Sequence, residues 1–391
     1  MKPTPAGRAS KGLAASVTSG NVLCAGLAFG RMAAASAPAA SPTAERVGLS
    51  LELPGLTLPE QQPVIRAAEA AGYTDGWSGE VGGHDGFTPV ALAAASTERM
   101  RLGTGVVNVF TRGPAVLAQH AAALQQASGG RFCLGIGSSS DVIVERWNGI
   151  PFEKPRTRMR QTIAFLRAVL AGERASPPGR GGAASDGPGF RLEQPPSTPV
   201  PIVVAALRER MLHTGGELGD GTFVNFLPLA ATEKVVGEIR RGMAAAGREP
   251  DSVEVLCRFF CIQGDPEQAL PLARWMFSAY ATVPVYERFF RWLGYGEQID
   301  PMVDAWRAGD RPGAVELAPR ELIEEIFVLG DAEAQRRRLE SYRERGVTLP
   351  ILQLIPLARP GAPASADAYA GLVESLAPRP DASRRAAPPK R

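Results

Sequence analysis

The sequence predicts an α/β protein in which eight parallel strands close into a (β/α)8 barrel, the TIM barrel. Between residues 47 and 357, apolar runs of strand length alternate eight times with runs of helical spacing, a pattern typical of parallel sheets with crossover helices. Eight such units close a barrel. An open dinucleotide-binding sheet would carry G-x-G-x-x-G after its first strand, and residues 53–56 (LPGL) stand there instead.

Each predicted element has its own local signal. Residues 47–53 alternate in polarity with period two, as a half-buried strand does. The next helix begins at Pro59, which suits a first turn, and stops before Gly72, which suits a C-terminal cap. The predicted strands are residues 47–53, 74–78, 101–107, 131–137, 201–205, 221–226, 253–262 and 350–355. The predicted helices are residues 59–71, 89–95, 114–127, 155–171, 209–218, 231–246, 266–281 and 332–345.

Residues 47–357 are therefore predicted to form one barrel domain, and three segments depart from its pattern. Residues 1–46 are rich in Ala, Ser, Gly and Pro, which predicts a disordered extension, with a weak export signal or an early start codon as alternatives. Residues 282–322 are rich in aromatic side chains and predict a helical insertion between the seventh and eighth strands, either a lid or subunit contact or ordinary packing helices. Residues 358–391 predict a mostly disordered tail with a helix at 366–376.

Composition and charge argue against several classes of protein. Hydrophobic residues make up 45% of the chain, which excludes wholesale disorder, and 43 basic against 40 acidic residues are too balanced to indicate nucleic-acid binding. No apolar run approaches the ~20 residues of a membrane span. Four cysteines are too few for a disulfide scaffold. Cys133, Cys257 and Cys261 lie in apolar runs and are expected to be buried, in a reducing cytoplasmic compartment.

The candidate catalytic residues follow the second predicted strand, because (β/α)8 barrels carry their active sites at the carboxyl ends of the strands. His84 is the only one of three histidines in a predicted end loop. It is a candidate general acid or base, or else an ordinary loop histidine. Glu80 is a candidate to hold or polarise a bound ring system, or else it forms a cap or an ion pair.

Small residues follow the fourth and fifth strands. Gly135, Gly137 and Ser138 would let a planar ligand approach the backbone, although a plain turn explains them equally well. Residues 205–206 precede a helix that begins near Arg208, which suits an anion site or merely solvated arginines. The chain has no H-E-x-x-H, G-x-S-x-G, G-x-x-x-x-G-K-[ST] or C-x-x-C motif, so hydrolase, NTPase and metal-site hypotheses lack support. The strand ends are poor in catalytic acids and bases and rich in small residues, which favours an enzyme whose cofactor performs the chemistry.

Several segments together carry a family resemblance: residues 48–55 (GLSLELPG), 101–107 (RLGTGVV), 131–139 (RFCLGIGSS), 147–152 (WNGIPF) and 205–207 (AAL). In combination they resemble the luciferase-like monooxygenase superfamily, most of all its branch of oxidoreductases that depend on the deazaflavin coenzyme F420. The resemblance implies a bacterial luciferase-like barrel that holds a deazaflavin, or alternatively FMN, at the strand ends. It also implies a homodimer.

The resemblance assigns roles to particular residues. The bond Gly105–Val106 matches a cis peptide that backs the ring, Asn108 matches a ring contact, and Glu80 matches an acidic position beside the cofactor. The full set of predicted cofactor-binding residues is Glu80, Gly105, Val106, Asn108, Gly135, Gly137, Ser138, Ala205, Ala206, Leu207 and Arg208. The predicted catalytic residues are Glu80 and His84.

The chain departs from the family pattern at two places. Sugar-phosphate dehydrogenases of the family carry a His after the strand-2 acid and a Glu after the strand-4 glycines, where this chain has Val81 and Ser140. A sugar-phosphate substrate is therefore disfavoured. Arg208 and Glu209 replace the usual glycine of the phosphate-binding loop. This replacement is expected to alter how the phosphate-bearing tail of the cofactor binds, or which cofactor is bound.

Three functions are open from the sequence. The leading hypothesis is F420-dependent hydride transfer to or from a small organic substrate. The first alternative is a monooxygenase that uses reduced FMN and O2. The second is a barrel without catalysis that binds a flavin, or a protein partner through residues 282–322. Neither a nucleic acid nor a membrane is expected as a partner.

Overall fold

A computed structural model describes residues 46–179, 189–357 and 364–379 of the chain. The predicted N-terminal extension lies outside the described residues apart from Arg46. The predicted tail is described only at residues 364–379.

Eight of the strands in the described part of the chain form a closed barrel. The strands are β1 (Gly48–Ser50), β2 (Asp75–Ser78), β3 (Arg101–Thr104), β4 (Val107–Asn108), β5 (Phe132–Gly137), β6 (Ile202–Ala205), β7 (Gly221–Asn225), β8 (Glu254–Gln263), β9 (Val328–Gly330) and β10 (Leu349–Ile355). Pairing runs β1-β2-β3-β5-β6-β7-β8-β10, and β10 also pairs with β1, which closes the ring. All these pairs are parallel. The predicted (β/α)8 barrel is confirmed.

Helices cover the outside of the barrel. They are α1 (Leu58–Ala70), α2 (Thr88–Ser96), α3 (Pro114–Ala127), α4 (Pro155–Leu170), α5 (Glu209–Leu218), α6 (Thr232–Ala245), α7 (Pro266–Ala281), α8 (Pro284–Leu293), α9 (Gly296–Arg307), α10 (Arg311–Glu316), α11 (Arg320–Ile326), α12 (Ala332–Glu344) and α13 (Ala366–Ser375). Side-chain caps begin several of them: Asp331 accepts from the backbone N of Ala334 at 2.8 Å in α12. The predicted insertion, residues 282–322, contains α8 to α10 and the start of α11. α13 is the helix predicted in the tail.

Three features of the fold differ from the predictions. The third strand, predicted as residues 101–107, is two short strands, β3 and β4, because the chain bends at a cis peptide between Gly105 and Val106. This cis bond is the one that the resemblance implies. A π-helix at Val142–Trp147 follows β5. β9 adds a parallel strand beside β8 after the inserted helices.

The amino end of the barrel is held by a cluster of charged side chains. The buried carboxylate of Asp75 accepts from Arg46 at 2.8 Å and from Arg101 at 2.5 Å, and Glu254 pairs with both arginines. Burial alone would raise the pKa of Asp75, but the two guanidinium groups outweigh burial and hold the pKa below its ordinary value. The cluster ties β2, β3 and β8 together at the end of the barrel away from the strand carboxyl ends.

The cysteines behave as the sequence predicts. Cys133, Cys257 and Cys261 are buried and unpaired, and burial raises the pKa of the Cys133 thiol to about 11. Among the described residues, no group of three or more His, Cys, Asp and Glu side chains could hold a metal ion. Within the same residues, no helix is long and apolar enough to cross a bilayer. The predicted homodimer stays a prediction.

Candidate cofactor and substrate site

A cavity of about 960 Å³ opens at the carboxyl ends of the barrel strands. Its walls come from the ends of β2, β4, β5, β6 and β7, and from α7 and the inserted α8. The predicted residues that line it are Glu80, Gly105, Val106, Asn108, Gly137, Ser138, Ala205, Ala206, Leu207 and Arg208. The barrel thus brings most of the predicted set together around one space.

Two predicted residues do not line this cavity. His84 is exposed in the loop after β2, and that loop is held by Asp85, which accepts from the backbone N of Phe87 at 2.8 Å. Gly135 lies within β5, where a Cβ atom would sit 1.8 Å from the Thr104 carbonyl oxygen. Gly135 therefore permits close strand packing rather than ligand approach, and His84 has no place in the cavity wall.

Small residues surround Val106 in the wall. A Cβ atom on Gly137 would lie 2.7 Å from Val106 Cγ2, and one on Gly105 would lie 2.8 Å from Phe223 Cε2. Protein interiors do not accommodate such overlaps without movement. Glycine at positions 105 and 137 therefore lets the Val106 and Phe223 side chains pack closely into this wall.

Asn108 has an unused hydrogen-bond donor. Its Oδ1 accepts from the backbone N of Phe110 at 2.7 Å. Its Nδ2 is buried and has no partner among the described residues, and the residue is 6% exposed. Leaving such a group unpaired costs about 1–3 kcal/mol. An acceptor on a bound ligand would complete the hydrogen bonding of this side chain.

Glu80 is held in an ion pair at the edge of the cavity. Its Oε1 accepts from Arg112 Nη1 at 2.6 Å, and its Oε2 accepts from the backbone N of Gly86 at 3.0 Å. The Arg112 guanidinium also lies 5.2 Å from the centroid of the Phe87 ring. Glu80 thus forms the ion pair that was one of its two predicted roles, and this pair fixes the carboxylate beside the cavity. A catalytic role for Glu80 stays a prediction.

Five basic side chains that line the cavity, here called the basic rim, are Lys154, Arg156, Arg208, Arg210 and Arg288. None of them forms an ion pair with another described residue. Arg208 is the N-terminal cap residue of α5, and no side chain caps the free N–H groups of that helix. Burial, and then the positive charge of Arg288, lower the pKa of Arg208. Asp141 and Glu209 also line the cavity but form no ion pair with these five cations. Cations without ion-pair partners fit an anionic ligand.

The structure adds Arg258, a site residue that the sequence analysis missed. It lies in β8, is 8% exposed, and lines the cavity. It donates to the Gly105 carbonyl oxygen and pairs with Glu52 at 3.2 Å. The signal that could have found it is its position in β8 between two apolar runs, residues 255–257 and 259–262, because arginine is almost never fully buried without a partner.

Two tyrosines from the helices after β8 also line the cavity. Tyr286, from α8, accepts a hydrogen bond from Asn225 Nδ2 at 3.2 Å. Tyr280, near the end of α7, stands with its ring centroid 5.6 Å from that of Tyr286. The aromatic character of the insertion is visible in the sequence, but its position against the strand ends is a tertiary fact that no local pattern records.

A closed (β/α)8 barrel whose strand-end cavity offers a small-residue wall, an unused amide and unpaired cations is the architecture of a cofactor-binding enzyme. Comparison with known sequences narrows the class. The chain belongs to the luciferase-like monooxygenase family, which matches residues 32–349. The resemblance predicted from the sequence is thereby confirmed.

Individual relatives agree with this assignment. A Mycobacterium tuberculosis protein provisionally named a coenzyme F420-dependent oxidoreductase is 29% identical over 338 residues, which cover 78% of this chain and 94% of the relative. The coenzyme F420-dependent tetrahydromethanopterin reductase of Methanopyrus kandleri superposes with a TM-score of 0.69 at 22% identity, over 85% of this chain and 98% of that one. The FMN complex of a 3,6-diketocamphane monooxygenase component from Pseudomonas putida gives a TM-score of 0.60 at 17% identity, over 85% and 97%. These two structures share the fold.

Proposed function

We propose that this protein is an oxidoreductase that uses coenzyme F420 to transfer hydride to or from a small organic substrate. The observation that carries the proposal is the basic rim, five cations beside one cavity without ion pairs among the described residues. Coenzyme F420 carries a phosphodiester and a glutamate tail, whereas FMN ends in a single phosphate group. A rim of this size suits the longer anion, and the similarity to F420-dependent relatives supports the same choice.

The residues of the cavity fit such a cofactor. Asn108 Nδ2 is a buried donor that needs an acceptor, and the wall around Gly137 leaves no room for a larger side chain. The basic rim would hold the anionic tail, with the N–H groups of α5 contributing. When bound, a deazaflavin supplies hydride at a ring carbon. The chain would bind and orient the partners and exclude water.

The absence of a His–Glu acid–base pair narrows the range of possible substrates. Val81 and Ser140 line the cavity. The family resemblance implies that sugar-phosphate dehydrogenases carry His and Glu at these two positions. Neither the Val81 nor the Ser140 side chain exchanges a proton near neutral pH. The proposal therefore disfavours sugar phosphates. Any proton donor must be another residue of the cavity, and Glu80 is proposed to orient the cofactor.

Fluorescence titration of the purified protein with coenzyme F420, and separately with FMN, tests the proposal. We expect F420 to bind, and the double variant Arg208→Ala/Arg288→Ala to bind it about 10- to 100-fold more weakly, because each removed cation contributes roughly 1 kcal/mol at an exposed site. Arg240→Ala is the control, because Arg240 is exposed and pairs with Asp251 away from the cavity.

The outcomes separate the candidate functions. Binding of FMN in preference to F420, with consumption of O2, would move the protein to the monooxygenase alternative. Binding of neither cofactor would refute the proposal and favour a barrel without catalysis. Equal F420 affinity in the double variant and the wild type would show that the basic rim does not hold the tail.

A further inference from the structure

Two phenol groups in the cavity have hydroxyl protons without an acceptor. Tyr286 Oη accepts from Asn225 Nδ2 at 3.2 Å, so its own proton remains to be donated. The Tyr280 hydroxyl makes no hydrogen bond with the residues that the structure describes. Both side chains are half-buried and line the cavity. Two hydroxyl groups therefore border the cavity without donating a hydrogen bond to any described residue.

The two rings are fixed by aromatic packing. Phe226 packs against Tyr280 at 4.7 Å and against Tyr286 at 5.4 Å between ring centroids. The rings of the two tyrosines meet edge to face, with an angle of 86° between their planes. Phe226 is in turn packed on Phe260 at 4.7 Å. The hydroxyl groups are thus held in place before any ligand binds, which is the condition under which donors stabilise a developing charge.

Burial keeps the two tyrosines protonated at neutral pH. Burial, and next the neighbouring Tyr280, raise the pKa of Tyr286 to about 12. Burial also raises the pKa of Tyr280, while the positive charge of Arg258 acts in the opposite direction on both phenols. Both groups are therefore hydrogen-bond donors at neutral pH. The buried guanidinium nearby favours negative charge on any oxygen that they hold.

We propose that Tyr286 and Tyr280 form a subsite for a carbonyl oxygen, so that the substrate is an aldehyde or ketone in the reducing direction and the corresponding alcohol in the other. Apolar side chains that also line the cavity favour an uncharged carbonyl compound over a carboxylate: Phe223, Val283, Val285 and Trp292. The inference rests on the proposed function for its source of hydride.

The chemistry of the step balances with the groups named. In reduction, hydride from a reduced deazaflavin forms the new C–H bond at the carbonyl carbon, and the π pair of the C=O bond moves onto oxygen. That oxygen takes its proton from Tyr286 Oη. Asn225 and the charge of Arg258 stabilise the phenolate that results, and water entering from the cavity mouth returns a proton to it. Oxidation of the alcohol runs the same sequence in reverse.

A chromophoric aldehyde tests the subsite without any cofactor. The absorption of 4-(dimethylamino)cinnamaldehyde moves to longer wavelength when its carbonyl oxygen accepts a hydrogen bond. We expect a saturable red shift with the wild type. Tyr286→Phe, which removes the donor and keeps the ring, should lose most of the shift and bind about 10-fold more weakly, in line with the ~1.5 kcal/mol of a hydrogen bond. Tyr280→Phe should lose part of it.

Tyr295→Phe is the matched control. Tyr295 belongs to the same insertion, but its hydroxyl lies 3.4 Å from Glu325 and it does not line the cavity. Its variant should give the wild-type shift, and thermal melting should show that all three variants fold. An absent shift in the wild type, or a full shift in both Tyr286→Phe and Tyr280→Phe, would overturn the proposal.

A second readout connects the subsite to turnover. With F420 bound, Tyr286→Phe should reduce kcat for carbonyl reduction about 100-fold, the usual cost of a lost donor to a developing oxyanion, and leave F420 affinity unchanged. The two proposals fail separately. If the wild type gives the aldehyde shift but does not bind F420, the proposed cofactor is refuted. If the wild type binds F420 but gives no aldehyde shift, the carbonyl subsite is refuted.

Discussion

Arg258→Met offers a direct test of how the cavity wall is held together. The change keeps the bulk of the side chain but removes the guanidinium that pairs with the Glu52 carboxylate and donates to the Gly105 carbonyl oxygen. Ser50 Oγ still donates to Glu52 at 3.2 Å. Removing one partner of a buried ion pair costs about 3–5 kcal/mol. The Glu52 side chain is 31% exposed, so water can solvate part of it in the variant. We therefore expect a smaller loss of unfolding free energy, about 2–3 kcal/mol.

A double-mutant cycle separates the ion pair from simple loss of packing. Urea unfolding at neutral pH would be followed for the wild type, Arg258→Met, Glu52→Gln and the double variant. Because the two residues share one interaction, the double variant should lose less stability than the sum of the single variants by about 1 kcal/mol or more. Additive effects, or a loss below about 0.5 kcal/mol in Arg258→Met, would refute the reasoning.

Two further predictions concern the barrel end and the cavity wall. The pKa of Asp75 is held below its ordinary value, so the stability that this carboxylate contributes is present above about pH 4 and is lost as the pH falls through the folded-state pKa. Urea midpoints between pH 6 and pH 3 should fall more steeply for the wild type than for Asp75→Asn, and parallel curves would contradict this. Gly137→Ala places a Cβ atom 2.7 Å from Val106 Cγ2 and should weaken F420 binding about tenfold, the effect of ~1.4 kcal/mol. Gly237→Ala is its control, since the nearest atom to that Cβ would be 3.9 Å away, and equal affinity in both variants would count against the wall assignment.

Local signals were enough to predict the order of strands and helices. The bounds of α3 and α7 coincide with their predictions, because Pro114 and Pro266 stand at the first turn of each helix and fix where it begins. The three-residue strand β9 could not be predicted, since it exists only through its pairing with β8. The break between β3 and β4 was implied by the family resemblance alone.

The sequence predicted the site residues that directly follow a barrel strand. It did not predict the site residues whose side chains enter the cavity from other parts of the fold. Asn108 and Arg208 line the cavity because barrel topology places the residues after each strand around one mouth. His84 follows the right strand, but its loop turns it to solvent. Arg258 and Tyr286 reach the cavity from a strand interior and from an inserted helix, and neither placement is encoded in spacing along the chain.

The position of β10 has a consequence for the newly made chain. Leu49 in β1 pairs with Leu352 in β10, so the strand that closes the barrel is synthesised after nearly everything else in it. Until then β1 and the ten-residue β8 present open edges, and an unpaired edge strand recruits strands from other molecules. A polypeptide stalled or cleaved before Leu349 would keep both edges open, so arrest of translation before β10 would favour aggregation.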